Sequence, residues 1–256
     1  MRKLILVKVG GKVVENHDSL NTLLKHFSAI KEPKVLIHGG GRSATTVARQ
    51  MGIETKMING RRITDSEMLK VVTMVYGGLV NKNIVAKLQS IGINALGLTG
   101  ADLNYMEAVK RPVKDIDYGY AGDITKVNIE VLCPLVEKNI VPVLAPLSHN
   151  KNGQLLNTNA DTIAAEASIA FSKYFDTELI YCFDMPGVMS DPDDNNSVIA
   201  NLTYKQFKNY QEEGVINDGM IPKLDNSFRA LEKGVNKIRI TNIEGLTCGG
   251  TNLINN

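Results

Sequence analysis

Short aliphatic runs punctuate this chain, and amphipathic stretches fill the intervals between them. The runs at 3–9, 34–38, 93–98, 140–147, 179–184 and 236–241 are rich in Val, Ile and Leu and barely alternate with polar residues. That is the pattern of strands covered on both faces. Between them, helical segments are expected over 18–30, 42–51, 65–91, 127–138, 160–175, 203–213 and 222–233. Alternating strands and helices predict a mostly parallel sheet between two helical layers. The 65–91 segment is the longest, and Gly77-Gly78 lets it bend or pack closely against a neighbour.

Two stretches break the rhythm. In "KMINGRRIT" (56–64) Asn59-Gly60 stands between two short β-like arms, a strong hairpin signal. "DYGYAGDITKV" (117–127) reads as a second hairpin, and both are candidates for lids or rims over a site. The acidic "SDPDDNNS" (190–197) reads as a solvated surface turn. No Pro/Ser-rich linker, internal repeat or low-complexity tract divides the chain, so one structural domain with two functional halves is expected.

Composition narrows the class. The 256 residues are 43% hydrophobic and 22% charged, enough for a substantial core. A net charge of +2 gives no reason to expect nucleic acid or an anionic membrane as partner. Cys133, Cys182 and Cys248 are odd in number and far apart, which points to free thiols in a reducing compartment. No apolar stretch approaches the roughly 20 residues of a membrane span. Lys8 interrupts the N-terminal apolar run before it can serve as a signal peptide. A cytoplasmic setting is expected.

Lys8 then becomes a question, because lysine is rarely buried without a partner and here it sits inside "LILVKVGGK" (4–12). Glycines follow several strands: Gly10-Gly11, Gly39-Gly40-Gly41, and Gly97 with Gly100. Glycine admits close approach of an anion, and a helix N-terminus behind it supplies free N–H groups. The Walker pattern is absent, since Val13 follows Lys12 and Leu6 stands at the first glycine position. "GGGRSA" (39–44) matches a dinucleotide fingerprint in form, but a hairpin replaces the strand that should carry its acidic residue.

Other segments add candidate chemistry. In "LLNTNADTIAAEASIAF" (155–171) capping accounts for one asparagine and for Asp161 in the first turn, and leaves the second asparagine without a role. Pro222 suits the first helical position in "DGMIPKLDNSF" (218–228), which puts Lys223 in a first turn, where the helix dipole opposes a cation. A nearby polyanion would reverse that sign. "DMPGVM" (184–189) is either a connecting turn or a platform for a flat ring. His17, His26, His38 and His149 show no metal-ligand spacing, and no G-x-S-x-G elbow occurs.

In order along the chain, "KVGGK", "HGGG", "NGRRIT", "NTNAD", "DMPGV" and "DGMIPK" resemble the amino-acid kinase superfamily, and within it the N-acetylglutamate kinases. The resemblance implies a three-layer α/β/α sandwich on a mainly parallel sheet. Residues 1–160 would hold an acylated amino acid and 161–256 would hold ATP. Lys8 and Lys223 would stabilise the transferring phosphoryl group, with Asp161 steadying both. Gly40, Gly41, Arg62 and Asn157 would bind the acceptor. Gly10 and Gly11 would lie along the ATP phosphates. The segment Asp184, Met185, Pro186, Gly187, Val188 and Met189, with Val215, Ile216 and Asn217, would line the nucleoside.

ATP with Mg²⁺ would serve as phosphoryl donor, without a metal site built by the protein. The resemblance further implies phosphorylation of the γ-carboxylate of N-acetyl-L-glutamate in arginine biosynthesis, by a homodimer joined through helix 65–91. Because the first strand opens the chain, inhibition by arginine is not expected. Arg42-Ser43 after the glycines departs from the family's usual pair and opens an N-succinylglutamate alternative, with Arg42 meeting the extra carboxylate. Another carboxylate kinase of the superfamily, a nicotinamide-dependent oxidoreductase and a catalytically silent binding protein are the remaining alternatives.

Overall fold

The computed structural model describes residues 1–255 apart from 59, 192, 193, 195 and 217–219. The first stretch runs β1 (Lys3–Val9), α1 (Gly11–Glu15), α2 (His17–Ala29), β2 (Lys34–His38) and α3 (Gly41–Gln50). The short hairpin β3 (Met57–Ile58) and β4 (Arg61–Arg62) follows. Next come α4 (Ser66–Val72), a π-helical segment at Thr73–Val80, and α5 (Asn81–Ser90), where the sequence suggests one continuous helix. The middle of the chain holds β5 (Ala95–Leu98), β6 (Met106–Lys110), β7 (Gly122–Val127), α6 (Cys133–Glu137), β8 (Val141–Leu144), β9 (Leu147–His149) and β10 (Leu155–Asn157). It closes with α7 (Ala160–Phe171), β11 (Asp176–Cys182), β12 (Asn201–Thr203), α8 (Tyr204–Glu212), α9 (Ile221–Glu232), β13 (Lys237–Thr241) and β14 (Thr251–Ile254).

Eight strands form the central sheet in the order β12-β14-β13-β11-β1-β2-β8-β5, and only the β13–β14 pair is antiparallel. This is the expected α/β/α sandwich. Alternate residues of β1 enter opposite cores. Leu4 and Leu6 join the cluster that contains Ile163, Ala164 and Phe171 of α7. Ile5, Val7 and Val9 join the cluster that contains Leu23 and Phe27 of α2 and Val71 of α4. Lys8 has the parity of Leu4 and Leu6, so its side chain emerges beneath α7.

Three expectations need correction. The 140–147 run is two strands: β8 lies in the main sheet and β9 in a four-stranded sheet ordered β10-β9-β6-β7. Pro146 separates them, having no N–H to continue a ladder. The second hairpin is not contained within 117–127; β7 pairs antiparallel with β6, for which the sequence signals no strand. Residues 118–121 serve instead as a rim, with Thr64 bridged to Gly119. At φ +65°, a Cβ on Gly119 would lie 2.1 Å from the Thr64 carbonyl oxygen, so that crossing requires glycine. In the long helical segment, Gly77 and Gly78 fall inside the π turn.

Candidate active site

The ends of β1 and β2 place two glycine turns against each other. A Cβ on Gly11 would lie 3.7 Å from the backbone nitrogens of both Gly40 and Gly41, and one on Gly39 would lie 3.2 Å from that of Gly11. The N–H groups of Gly11, Gly40 and Gly41 find no acceptor among the described residues. Gly40 and Gly41 open α3 and Gly11 opens α1, so these donors are orphans that an anion can satisfy.

Next to this cradle lies the partner of Lys8. Its Nζ is 2.6 Å from Oδ1 of Asp161, and Nζ of Lys223 is 3.3 Å from Oδ2. Asp161 stands in the first turn of α7, capped by Asn159, whose side chain accepts from the Asp161 N–H at 2.7 Å. Lys223 stands in the first turn of α9, following Pro222. Burial would raise the Asp161 pKa, but the two ammonium groups outweigh it and hold the carboxyl below its ordinary value. Two cations share one acid, which leaves one positive charge unneutralised.

The Phe183 ring contacts both ammonium groups, with its centroid 4.8 Å from Lys8 Nζ and 5.1 Å from Lys223 Nζ. It stacks in turn on Tyr181 at 6.0 Å. Such cation–π contacts steady a cation without consuming its charge. No sequence signal singled out Phe183, because a strand-end aromatic is ordinarily core.

A pocket of about 190 Å³ opens between Gly39–Gly41, the β3–β4 hairpin, Tyr76, Arg111 and Asn157–Ala160. Its size suits a small acceptor, below the ~300–1,000 Å³ typical of drug-sized sites. Arg62 is buried, and its Nη2 donates to the Gly41 carbonyl at 2.7 Å and to Thr45 Oγ1 at 2.8 Å. The Tyr76 hydroxyl also hydrogen-bonds this guanidinium. Asn157 donates to Thr64 Oγ1 at 2.9 Å, which gives the second asparagine its role of tying the hairpin base to β10. Arg42 does not line this pocket; its charge acts on Asp184 instead. Arg61 and Arg111 line it, a pair the sequence reading passed over.

On the other side, Asp184 hydrogen-bonds Lys12, which holds its carboxyl below the ordinary range. Met185 and Pro186 are half-buried, as is Val215. The side chains of Val188, Met189 and Ile216 are buried. Val188 N–H donates to Thr251 Oγ1 at 2.8 Å, and a Cβ on Gly187 would lie 2.7 Å from that hydroxyl. Asn217 lies outside the described residues. Gly10 packs beside Phe183, its N–H held by the Cys182 carbonyl at 3.1 Å.

The chain is 58% identical over 241 residues to the acetylglutamate kinase of Parabacteroides distasonis, covering 94% of each chain. It is 57% identical over 252 residues to that of Phocaeicola vulgatus, covering 98% of each. A crystal structure of a Streptococcus mutans protein superposes with a TM-score of 0.81 at 28% identity, covering 98% of both chains. Residues 3–242 match the Amino acid kinase family, and the chain belongs to that family.

Proposed function

We propose that this chain is an ATP-dependent kinase that phosphorylates the γ-carboxylate of N-acetyl-L-glutamate, yielding ADP and the acyl phosphate used in arginine biosynthesis. One observation carries the reading: two lysines from distant segments converge on a single buried acid beside a glycine cradle of unpaired N–H groups. The relatives' name supplies the acceptor.

The chemistry asks little of a general base. A carboxylate acceptor, with a reference pKa of about 4.3, is ionised at neutral pH. Two anions must be brought together in line while charge on the transferring group is neutralised. Lys8 and Lys223 supply that charge and Asp161 aims them. Gly10 and Gly11 serve the ATP phosphates; Gly40 and Gly41 serve the acceptor. Arg62 and Asn157 hold the acceptor's α-carboxylate. The stretches 184–189 and 215–216 frame the nucleoside, which divides one domain into an acceptor half and an ATP half.

Mg²⁺ is read as an ion carried by the triphosphate. When bound, it neutralises phosphate charge. The protein is read as a cytoplasmic homodimer. No helix of the described residues is long and apolar enough to cross a membrane, and Met74 and Leu79 lie half-exposed on the π-helical segment, where a second copy could cover them.

A coupled ADP-release assay with N-acetyl-L-glutamate, free L-glutamate and carbamate tests the reaction. Turnover with the acylated substrate alone is expected; no turnover with it would overturn the reading. N-succinyl-L-glutamate is a second reading favoured by Arg61, which lines the pocket and makes no ion pair among the described residues, whereas Arg111 is paired with Asp123 at 2.5 Å. Comparing kcat/KM for the two acyl groups decides between them.

A further inference from the structure

His38 ends β2 immediately before the three glycines and is fully buried, yet the reaction gives its imidazole no task. Its Nδ1 lies 2.8 Å from the Gly39 carbonyl oxygen and its Nε2 lies 3.1 Å from Nδ2 of Asn81. The proton can be traced from the far end of this chain. The Val143 carbonyl can only accept, and Asn81 Nδ2 donates to it at 3.0 Å. The second hydrogen on that nitrogen therefore meets a lone pair on His38 Nε2. Nδ1 must then carry the proton and donate it to Gly39. Burial lowers the imidazole pKa to about 4, so the neutral ring persists through neutral pH.

Two features of the fold bring Asn81 to this place. The segment Thr73–Val80 is π-helical and leads directly into Asn81. Its i→i+5 ladder brings residues five apart to one side, whereas an α-helix completes a turn in 3.6. Tyr76 and Asn81 are such a pair, and both serve the glycine loop. A Cβ on Gly40 would lie 2.9 Å from Tyr76 Cδ1, so the ring supports that residue from below while Asn81 holds His38. The second feature is Gly97 of β5, where a Cβ would lie 1.9 Å from Asn81 Oδ1. That oxygen is buried and has no hydrogen-bond partner among the described residues. An orphaned amide oxygen is destabilising, and an apolar residue of the same shape would pack better. Stability alone does not account for Asn81; control of the imidazole does.

We infer that His38 is a positioning residue for the acceptor-binding glycine loop, with Asn81 fixing its tautomer. The inference rests on the acceptor role proposed for Gly40 and Gly41. The Gly39 carbonyl and the Gly40 N–H belong to one planar peptide unit and point in opposite directions. Holding the oxygen therefore aims the N–H into the pocket.

Four variants and one spectroscopic measurement test this. His38→Asn keeps a donor near the Nδ1 position, while His38→Gln keeps only a group near Nε2. Asn81→Leu removes the amide, and Gly97→Ala displaces it from another strand. His38→Gln, Asn81→Leu and Gly97→Ala are expected to lower kcat/KM for N-acetyl-L-glutamate by ~10–100-fold with KM for ATP little changed, as misplacement of a binding group does. His38→Asn should restore most of the loss. Wild-type kinetics in His38→Gln or Asn81→Leu, an equal loss toward both substrates, or no rescue by His38→Asn would overturn the inference. In the wild-type protein, ¹⁵N NMR should find Nδ1 protonated and Nε2 bare across about pH 6–8. A proton on Nε2 would overturn the inference regardless of turnover. If the wild type fails to phosphorylate N-acetyl-L-glutamate, the acceptor reading falls, while the nitrogen spectrum still decides the tautomer.

Discussion

Lys8 and Lys223 lie far apart in the chain, and Asp161 neutralises only half of their combined charge. That imbalance is what a phosphoryl group in transfer can use. Lys8→Ala and Lys223→Ala should each lose ~10²–10³ in turnover, the usual effect of deleting one charge-stabilising group. Circular dichroism should show both variants folded; near-normal turnover by either would remove it from the mechanism. Asp161→Asn differs in kind, because it leaves two ammonium groups, one of them buried, without their acid. A stability loss of roughly 3 kcal/mol is expected in urea titration, together with loss of activity, and an active variant of wild-type stability would contradict the steering role. The sequence exposed Lys8 because a charge in an apolar strand demands a partner, and Lys223 because it opposed a helix dipole. Phe183, Tyr76 and Arg111 carried no such contradiction: an aromatic or arginine in those contexts is locally ordinary, and only the tertiary fold directs it at the site.

Among the elements, those legible beforehand are those whose hydrophobic pattern is local. Strands β1, β2 and β13 match the apolar runs to within a residue, and helices α7 and α9 begin at the capping and proline signals read for them. The missed strands β6, β9, β10, β12 and β14 are three to five residues long; β6, β12 and β14 are defined by partners elsewhere in the chain, and β9 and β10 pair as a hairpin too short to show an alternating pattern. The π segment is invisible for another reason, since a short stretch of altered hydrogen bonding scarcely disturbs an apolar pattern. One capping device also emerged only in three dimensions. Lys34, at the start of β2, donates to the carbonyls of Phe27 at 2.9 Å, Ser28 at 3.1 Å and Ile30 at 2.7 Å, closing the C-terminus of α2. Burial lowers its pKa to about 8, so it remains mostly charged at neutral pH. Lys34→Met should cost roughly 2 kcal/mol through the loss of these charged hydrogen bonds. An unchanged urea midpoint would show that water replaces them without penalty.

At the scale of the whole molecule, acid is expected to act on stability in two separable steps. Above about pH 6.5, the ordinary histidine value, His38 is neutral in both the folded and unfolded chains and contributes no pH dependence. As pH falls below that, the unfolded chain binds a proton that the buried imidazole refuses until about pH 4. Stability therefore declines across that window, by roughly 3 kcal/mol in total at up to ~1.4 kcal/mol per pH unit. Asp161 and Glu178 follow at lower pH. Burial would raise both carboxyls, but their cationic neighbours hold both below the ordinary value, Glu178 through Lys237, Arg239 and Lys3. The stability they lend is present above the unfolded carboxylate value and is lost as pH falls through their folded values. Urea titrations of the wild type and His38→Asn from about pH 7 to pH 5 separate the two steps, because few ordinary carboxylates titrate in that range. The wild type should lose stability there and the variant should stay level; at lower pH both should decline together. Parallel curves above about pH 5 would mean that the imidazole accepts its proton inside the fold, and that the Asn81–His38–Gly39 chain does not hold it neutral.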